Sequence, residues 1–209
     1  MTYNKTDFFN ATRGNRNTPG IMGPTLDGNE VAGAEAVIDA MKGLPVSWVA
    51  YALATAWHET SHTMLPIREY GGARYFMRMY DVSGERPKLA KDNGNTTVGD
   101  GKVYYGRGYV QLTWKDNYEK AGKKLDYPMV GNPDLALRPD IAAQIMRFGM
   151  VEGWFTGKAF RDYLPSDKPA NRASFGQARR IINGMDKADL IAGYAVRFQD
   201  ALIKAGYRA

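Results

Sequence analysis

The sequence predicts a mainly α-helical chain, organised as one domain over residues 1–209 with a long loop. Three observations point there: apolar residues recur at helical spacing along most of the chain, capping residues precede several of these runs, and residues 65–103 lack any period. A short helix is expected around Asp7-Phe8-Phe9, followed by a Gly-, Asn-, Thr- and Pro-rich loop over residues 11–29. Asn29 reads as the N-cap of a helix carrying Val31, Ala34, Val37, Ile38 and Met41, which Gly43 and Pro45 interrupt. The next helix, about 45–63, places Trp48, Ala52, Thr55, Ala56 and Glu59 along adjoining faces and so holds Glu59 partly desolvated. Within 65–103 one apolar-aromatic island, Tyr75-Phe76-Met77-Arg78-Met79-Tyr80, interrupts the loop, and a loop that long in a domain is usually functional or flexible. After the Gly106-Arg107-Gly108 turn, Thr113 is placed to cap a helix through about Lys123. Pro139 opens a helix to about Phe155; Ser174 with Gln177 forms a capping box for another ending at Asn183-Gly184; Asp186 starts the last, which stops before Gly206.

Composition bounds the function. With 44% hydrophobic and 24% charged residues, the chain can bury a sizeable core. Lys+Arg 28 against Asp+Glu 22 gives a net charge of +6, which favours an anionic partner: nucleic acid, a membrane surface or a bacterial wall. The basic residues are scattered, and no helix interleaves them with aromatics, so a nucleic-acid partner is not expected. No run of about 18 apolar residues suggests stable membrane insertion, and the N-terminus lacks a signal peptide's apolar core. The absence of cysteine removes disulfides, thiolate nucleophiles and thiolate metal sites. The expectation is a monomer made in a reducing cytoplasm, which reaches any external substrate only after release by some other means.

Two mechanisms compete for Glu59. His58-Glu59-Thr60-Ser61-His62 fits H-E-x-x-H, which sets two zinc ligands and a base on one helical face. A catalytic zinc needs three protein ligands, and the chain has two histidines, so Glu69 or Glu85 would have to supply the third. Such a zinc peptidase or amidase leaves Tyr104-Tyr105-Gly106-Arg107-Gly108 unexplained. The alternative is a carboxylate pair: an acid that protonates a leaving glycosidic oxygen and a base that activates water. Glu59, on an apolar helix, suits the acid; Glu69, on a more solvated loop beside Arg68 and Tyr70, suits the base.

The order and spacing of His58-Glu59-Thr60, Glu69 ten residues on, the segment from Tyr104 to Thr113, then Asn117-Tyr118 and Ile181-Ile182-Asn183-Gly184, span about 125 residues. This array resembles glycoside hydrolase family 19, which comprises chitinases and related phage lysins, and the flanks resemble its short phage and prophage endolysins. The resemblance implies a lysozyme-like helical domain with a long substrate-cleft loop. It also implies an inverting mechanism that needs no cofactor and no metal, with Glu59 as acid, Glu69 as base and Thr113 helping to hold the attacking water. His58, Tyr105, Gln111, Asn117 and Asn183 then match positions that bind the sugar chain, while Arg107 reads as a structural ion-pair partner. Three departures stand out: His62 where glycine is common, no cysteines as in the plant enzymes, and Met185 in place of a second glycine. The spacing from Glu59 to Glu69 is one residue longer than in the short bacterial members, which keeps Glu85 as the alternative base. The expected activity is cleavage of β-1,4 bonds between N-acetylated amino sugars, in peptidoglycan ahead of chitin, with the wall as the place of action. A catalytically silent wall-binding module is the reading from a different class.

Overall fold

Nine α-helices, four short 3-10 turns and one two-stranded antiparallel ladder occur among the residues that the computed structural model describes, 3–14 and 20–209. Part of the expected 11–29 loop, residues 15–19, lies outside the described residues. The backbone groups into two units, Met1–Leu65 with Met146–Ala209 and Pro66–Ile145.

The first unit contains α1 (Lys5–Arg13), α2 (Gly28–Ala40), α3 (Val46–Glu59), α8 (Arg172–Ala178) and α9 (Ala188–Lys204), with the end of α7 (Pro139–Glu152). Helix α3 is its axis. Four alanines at 50, 52, 54 and 56 favour the helix, and every residue from Val49 to Trp57 is buried, as expected of a helix apolar on all sides. It packs on α9 and α2. Tyr51 stacks on Phe175 with centroids 6.4 Å apart and meets Phe160 edge-on, while Trp48 stacks on Phe160 at 5.0 Å. Truncating a fully buried residue such as Leu53 to alanine would cost about 2–5 kcal/mol, so the end of α3 is firmly placed.

That end comes earlier than the sequence pattern predicts, at Glu59 instead of about residue 63. Thr60 is the C-cap and Ser61 turns left-handed (φ 52°); the Ser61 N–H donates to the His58 carbonyl and the His62 N–H to Trp57 (2.8 Å). These two bonds form a Schellman stop with serine where glycine is usual. The accompanying side-chain contact is also present, since the His62 ring stacks on Trp57 at 4.8 Å.

Other helix starts also shift. The N-cap of α2 is Asp27, which forms a reciprocal capping box with Glu30, so Asn29 lies inside the helix. Asn171, not Ser174, caps α8 by accepting from the Ser174 N–H, and α9 begins at Ala188 after a left-handed Lys187. Helix α7 stops at Glu152 because Gly153 turns left-handed (φ 77°).

In the second unit the expected loop over 65–103 contains α4 (Ala73–Tyr80), α5 (Pro87–Asp92) and a 3-10 turn at Asp100–Lys102. Buried Asp81 clamps it: its carboxylate accepts from the Ser83 N–H and hydroxyl and from the Gly99 and Gly101 N–H groups. Burial opposes its charge, but these donors outweigh that and hold the carboxyl below its ordinary range. Asn95, also buried, donates to the Tyr80 carbonyl and accepts from the Lys115 N–H, which caps α6 (Lys115–Leu125) from a distance. Thr113 is therefore not the cap expected of it; Trp114 (φ 77°) occupies that position without a side-chain bond. Strand β1 (Ile67–Arg68) pairs with β2 (Arg107–Gly108), with Ile67 opposite Gly108 and Arg68 opposite Arg107.

Candidate functional site

In the first unit, α3 delivers Glu59 at its last turn with the side chain 21% exposed. Arg179, at the junction of α8 and the following 3-10 turn, donates to Glu59 Oε1 at 2.6 Å from a side chain only 4% exposed. Its Nε donates to the Asp186 carbonyl, and its own carbonyl accepts from the Asn183 N–H. Arg179, 120 residues from Glu59 in sequence, thus ties it to the segment that carries Asn183 and Asp186, through its backbone carbonyl to the first and its guanidinium to the second. The desolvated carboxyl expected from the apolar helix is in fact ion-paired. Asn183 is exposed, and its side chain accepts from the Gly184 N–H. His58 is half-buried; burial pushes its imidazole below the ordinary value, nearby Glu59 opposes that, and Arg179 adds to it.

His62 lies past the helix end at φ 72°, with its Nε2 3.2 Å from the Tyr194 hydroxyl. The premise of the zinc pattern, two imidazoles at i and i+4 on one helical face, is therefore not met. No group of three or more candidate ligands occurs among the described residues.

In the second unit, the Tyr-Tyr-Gly-Arg-Gly segment folds around Glu69. The Glu69 N–H donates to the Gly106 carbonyl, extending the β1–β2 ladder, and the Gly106 N–H returns a bond to Glu69 Oε2 at 3.1 Å. Tyr80 and Tyr75 hydroxyls donate to Oε1 at 2.6 and 3.3 Å. Burial, then the hydrogen bond to Glu69 and that group's charge, raise the Tyr80 hydroxyl far above its ordinary value, so it remains a donor. A Cβ at Gly106 would lie 2.9 Å from Gln111 Oε1 and 3.0 Å from Glu69 Oε2, so a larger residue there would push both side chains aside.

The remaining expected residues follow as a string. Gln111 (φ 53°) donates to the Ile67 and Gly108 carbonyls; the Thr113 hydroxyl donates to the Gln111 carbonyl at 2.8 Å; Asn117 donates to the Thr113 carbonyl. Tyr105 stacks on Phe76 of α4 at 4.0 Å and 4°, and its hydroxyl accepts from Arg68. Arg107 is buried, ion-paired to Asp134 at 2.9 Å and bonded to the Tyr118 hydroxyl. Glu85, the alternative base, is 61% exposed and touches Arg78 at 3.7 Å. Glu69, Tyr105, Gln111, Thr113 and Asn117 are thus brought together in the second unit; His58, Glu59 and Asn183 are gathered in the first, around an Arg179 that the sequence reading did not single out.

The profile of the family described as chitinase class I matches residues 46–189. Among curated relatives, an endochitinase of Arabidopsis thaliana is 40% identical over 85 residues, covering 40% of this chain and 26% of the relative. A basic endochitinase of Brassica napus is 31% identical over 139 residues, covering 66% of this chain and 42% of the relative. The chain thus spans well under half the length of these relatives. Among solved structures, chitinase C from Streptomyces griseus HUT6037 superposes with a TM-score of 0.57 at 20% identity, covering 98% of this chain and 76% of that one. That likeness shows the fold class, mainly helical and lysozyme-like.

Proposed function

Because the chain belongs to glycoside hydrolase family 19, the chitinase class I family, we propose that it hydrolyses β-1,4 bonds between N-acetylated amino sugars through Glu59 and Glu69. The observation that carries this reading is the wiring of Glu69: the most distinctive segment of the sequence closes on that carboxylate by backbone pairing and by the Gly106 N–H. Glu85 has no comparable setting, which favours Glu69 as the base.

Arg179 occupies Glu59 Oε1, so the proton to be donated resides on Oε2 and passes to the leaving glycosidic oxygen. Glu69 Oε1 already accepts from two tyrosines, whereas Oε2 has a single donor, Gly106, and retains a lone pair for a water proton. That water's oxygen bonds to the anomeric carbon as the glycosidic bond breaks, and the new hemiacetal has inverted configuration. The Thr113 hydroxyl spends its one proton on the Gln111 carbonyl and so can only accept from the same water, helping to orient it.

Peptidoglycan is the proposed polymer, supported by the net charge of +6, which suits an anionic wall. Chitin is the second reading, supported by the endochitinase names of the relatives. Mass spectrometry of products from purified peptidoglycan tests both the reaction and the bond. New reducing ends at N-acetylmuramic acid indicate a muramidase and those at N-acetylglucosamine a glucosaminidase. Release of stem peptides with the glycan intact would overturn the reading.

A further inference from the structure

We propose that α4 carries a carboxylate-binding subsite beside Glu69, which selects amino-sugar strands bearing carboxylates over neutral ones. The proposal rests on the reading of Glu69 as the base. Arg74 and Arg78 stand one helical turn apart, so their Cβ atoms are about 5–6 Å apart on one exposed face. Two adjoining grooves of about 460 and 440 Å³ open there; both are lined by Arg74 and Arg78, the first also by Gly72 and Tyr75. Tyr75 joins this face to the candidate site, because its hydroxyl donates to Glu69 Oε1 while Arg78 lies 5.8 Å from its ring centroid.

The charge of the face is unbalanced. Arg74 forms no hydrogen bond or ion pair among the described residues. Arg78 meets Glu85 at 3.7 Å with both side chains more than half exposed, a contact that exchanges readily with an incoming carboxylate. By contrast, Arg68, on the strand that leads to Glu69, is committed to Asp134 through two bonds of 2.7 and 2.8 Å. Arginine forks match carboxylates in a bidentate manner, and a strand held by Glu69 would bring its substituents to the neighbouring turn of α4. Tyr70, fully exposed next to Glu69, offers an aromatic face to the sugar itself. In a wall polymer the carboxylates belong to the stem peptides or, where the peptide has been removed, to the freed lactyl group of muramic acid; neutral chitin has neither.

The test compares kcat and KM of the wild type, R74Q/R78Q and R74K/R78K on three soluble substrates. These are glycan strands with stem peptides, strands stripped of peptide by an amidase, and a neutral chito-oligosaccharide. The expected result is a roughly tenfold fall in the charged-to-neutral ratio of kcat/KM for R74Q/R78Q, equivalent to about 1.4 kcal/mol, arising mainly in KM and only partly restored in R74K/R78K, where the charge returns without the fork. A fall confined to peptide-bearing strands assigns the stem peptide as the source, a fall confined to amidase-stripped strands assigns the lactyl carboxylate that the amide bond otherwise masks, and a fall on both shows that the subsite takes either. An unchanged ratio overturns the subsite. Co-sedimentation with insoluble peptidoglycan at fixed low ionic strength decides independently of turnover: R74Q/R78Q retained like the wild type refutes the subsite. A wild type that sediments but cleaves no substrate refutes the glycosidase reading instead.

Discussion

Removing the Arg179 guanidinium should destabilise the chain through two lost partners at once. In Arg179→Met the carboxylate loses its 2.6 Å partner and the Asp186 carbonyl loses the Nε donor, in a place where the arginine is 4% exposed. Breaking a buried pair from one side costs about 3–5 kcal/mol. Glu59 remains 21% exposed, so water reaches the stranded carboxylate and the lower end applies, about 3 kcal/mol. For a chain of this size that corresponds to a fall of roughly 6–12 °C in Tm. Glu59→Gln keeps an acceptor oxygen for Arg179 and should cost about 1–2 kcal/mol. A double-mutant cycle by urea unfolding, with Glu59→Gln, Arg179→Met and the pair, should return a coupling energy of about 1.5–3 kcal/mol. Added salt should change it little, since a mostly buried pair is weakly screened. A coupling below about 0.5 kcal/mol would refute the argument that Arg179 fixes Glu59.

Three further outcomes follow from the geometry. Glu69→Gln should lower kcat about 10²–10⁴-fold while Glu85→Gln stays near wild type, because only Glu69 is held by two tyrosines and the Gly106 N–H; the reverse order would transfer the base to Glu85. Thr113→Ala should show an intermediate loss of about tenfold and Thr113→Ser near-normal turnover, since a hydroxyl that only orients water is replaced by an equivalent one; equal losses in both would remove that role. Stability should fall as pH drops below about 6.5, because burial depresses the folded imidazole of His58, so the unfolded chain binds the proton first. The same pH series on His58→Asn should have a shallower slope between pH 7 and 5, and superimposable slopes would exclude His58 as the source.

How much could be read beforehand depended on range. Helix α3, the core of α9 and the grouping of Glu69 with the Tyr-Tyr-Gly-Arg-Gly segment were legible because local periodicity and a dense motif carry them. The two helices inside residues 65–103 were hidden: α5 is 6 residues long and α4 is 8, too short for a period to emerge from Gly- and Pro-rich flanks. The stop at Glu59 was missed because serine and histidine take the Schellman positions where glycine would have signalled it. Thr113 looked like a cap because nothing in a linear reading says that Asn95, 20 residues upstream, already satisfies the Lys115 N–H. Arg179 was invisible as Glu59's partner for the same reason, since their pairing closes 120 residues of chain. Its one local signal was an arginine beside the Ile181-Ile182-Asn183-Gly184 turn, a position as consistent with the surface as with the interior.

The central claim is that Glu59 and Glu69 act as acid and base in an inverting glycosidase. Time-resolved proton NMR of the wild type cutting a soluble β-1,4-linked oligosaccharide of N-acetylated amino sugars tests it most directly, because the spectrum reports both the bond broken and the configuration formed. The account predicts that the α-anomer of the new reducing end appears first and the β-anomer only later, by mutarotation. Initial appearance of the β-anomer, or no new reducing end at all, would contradict it.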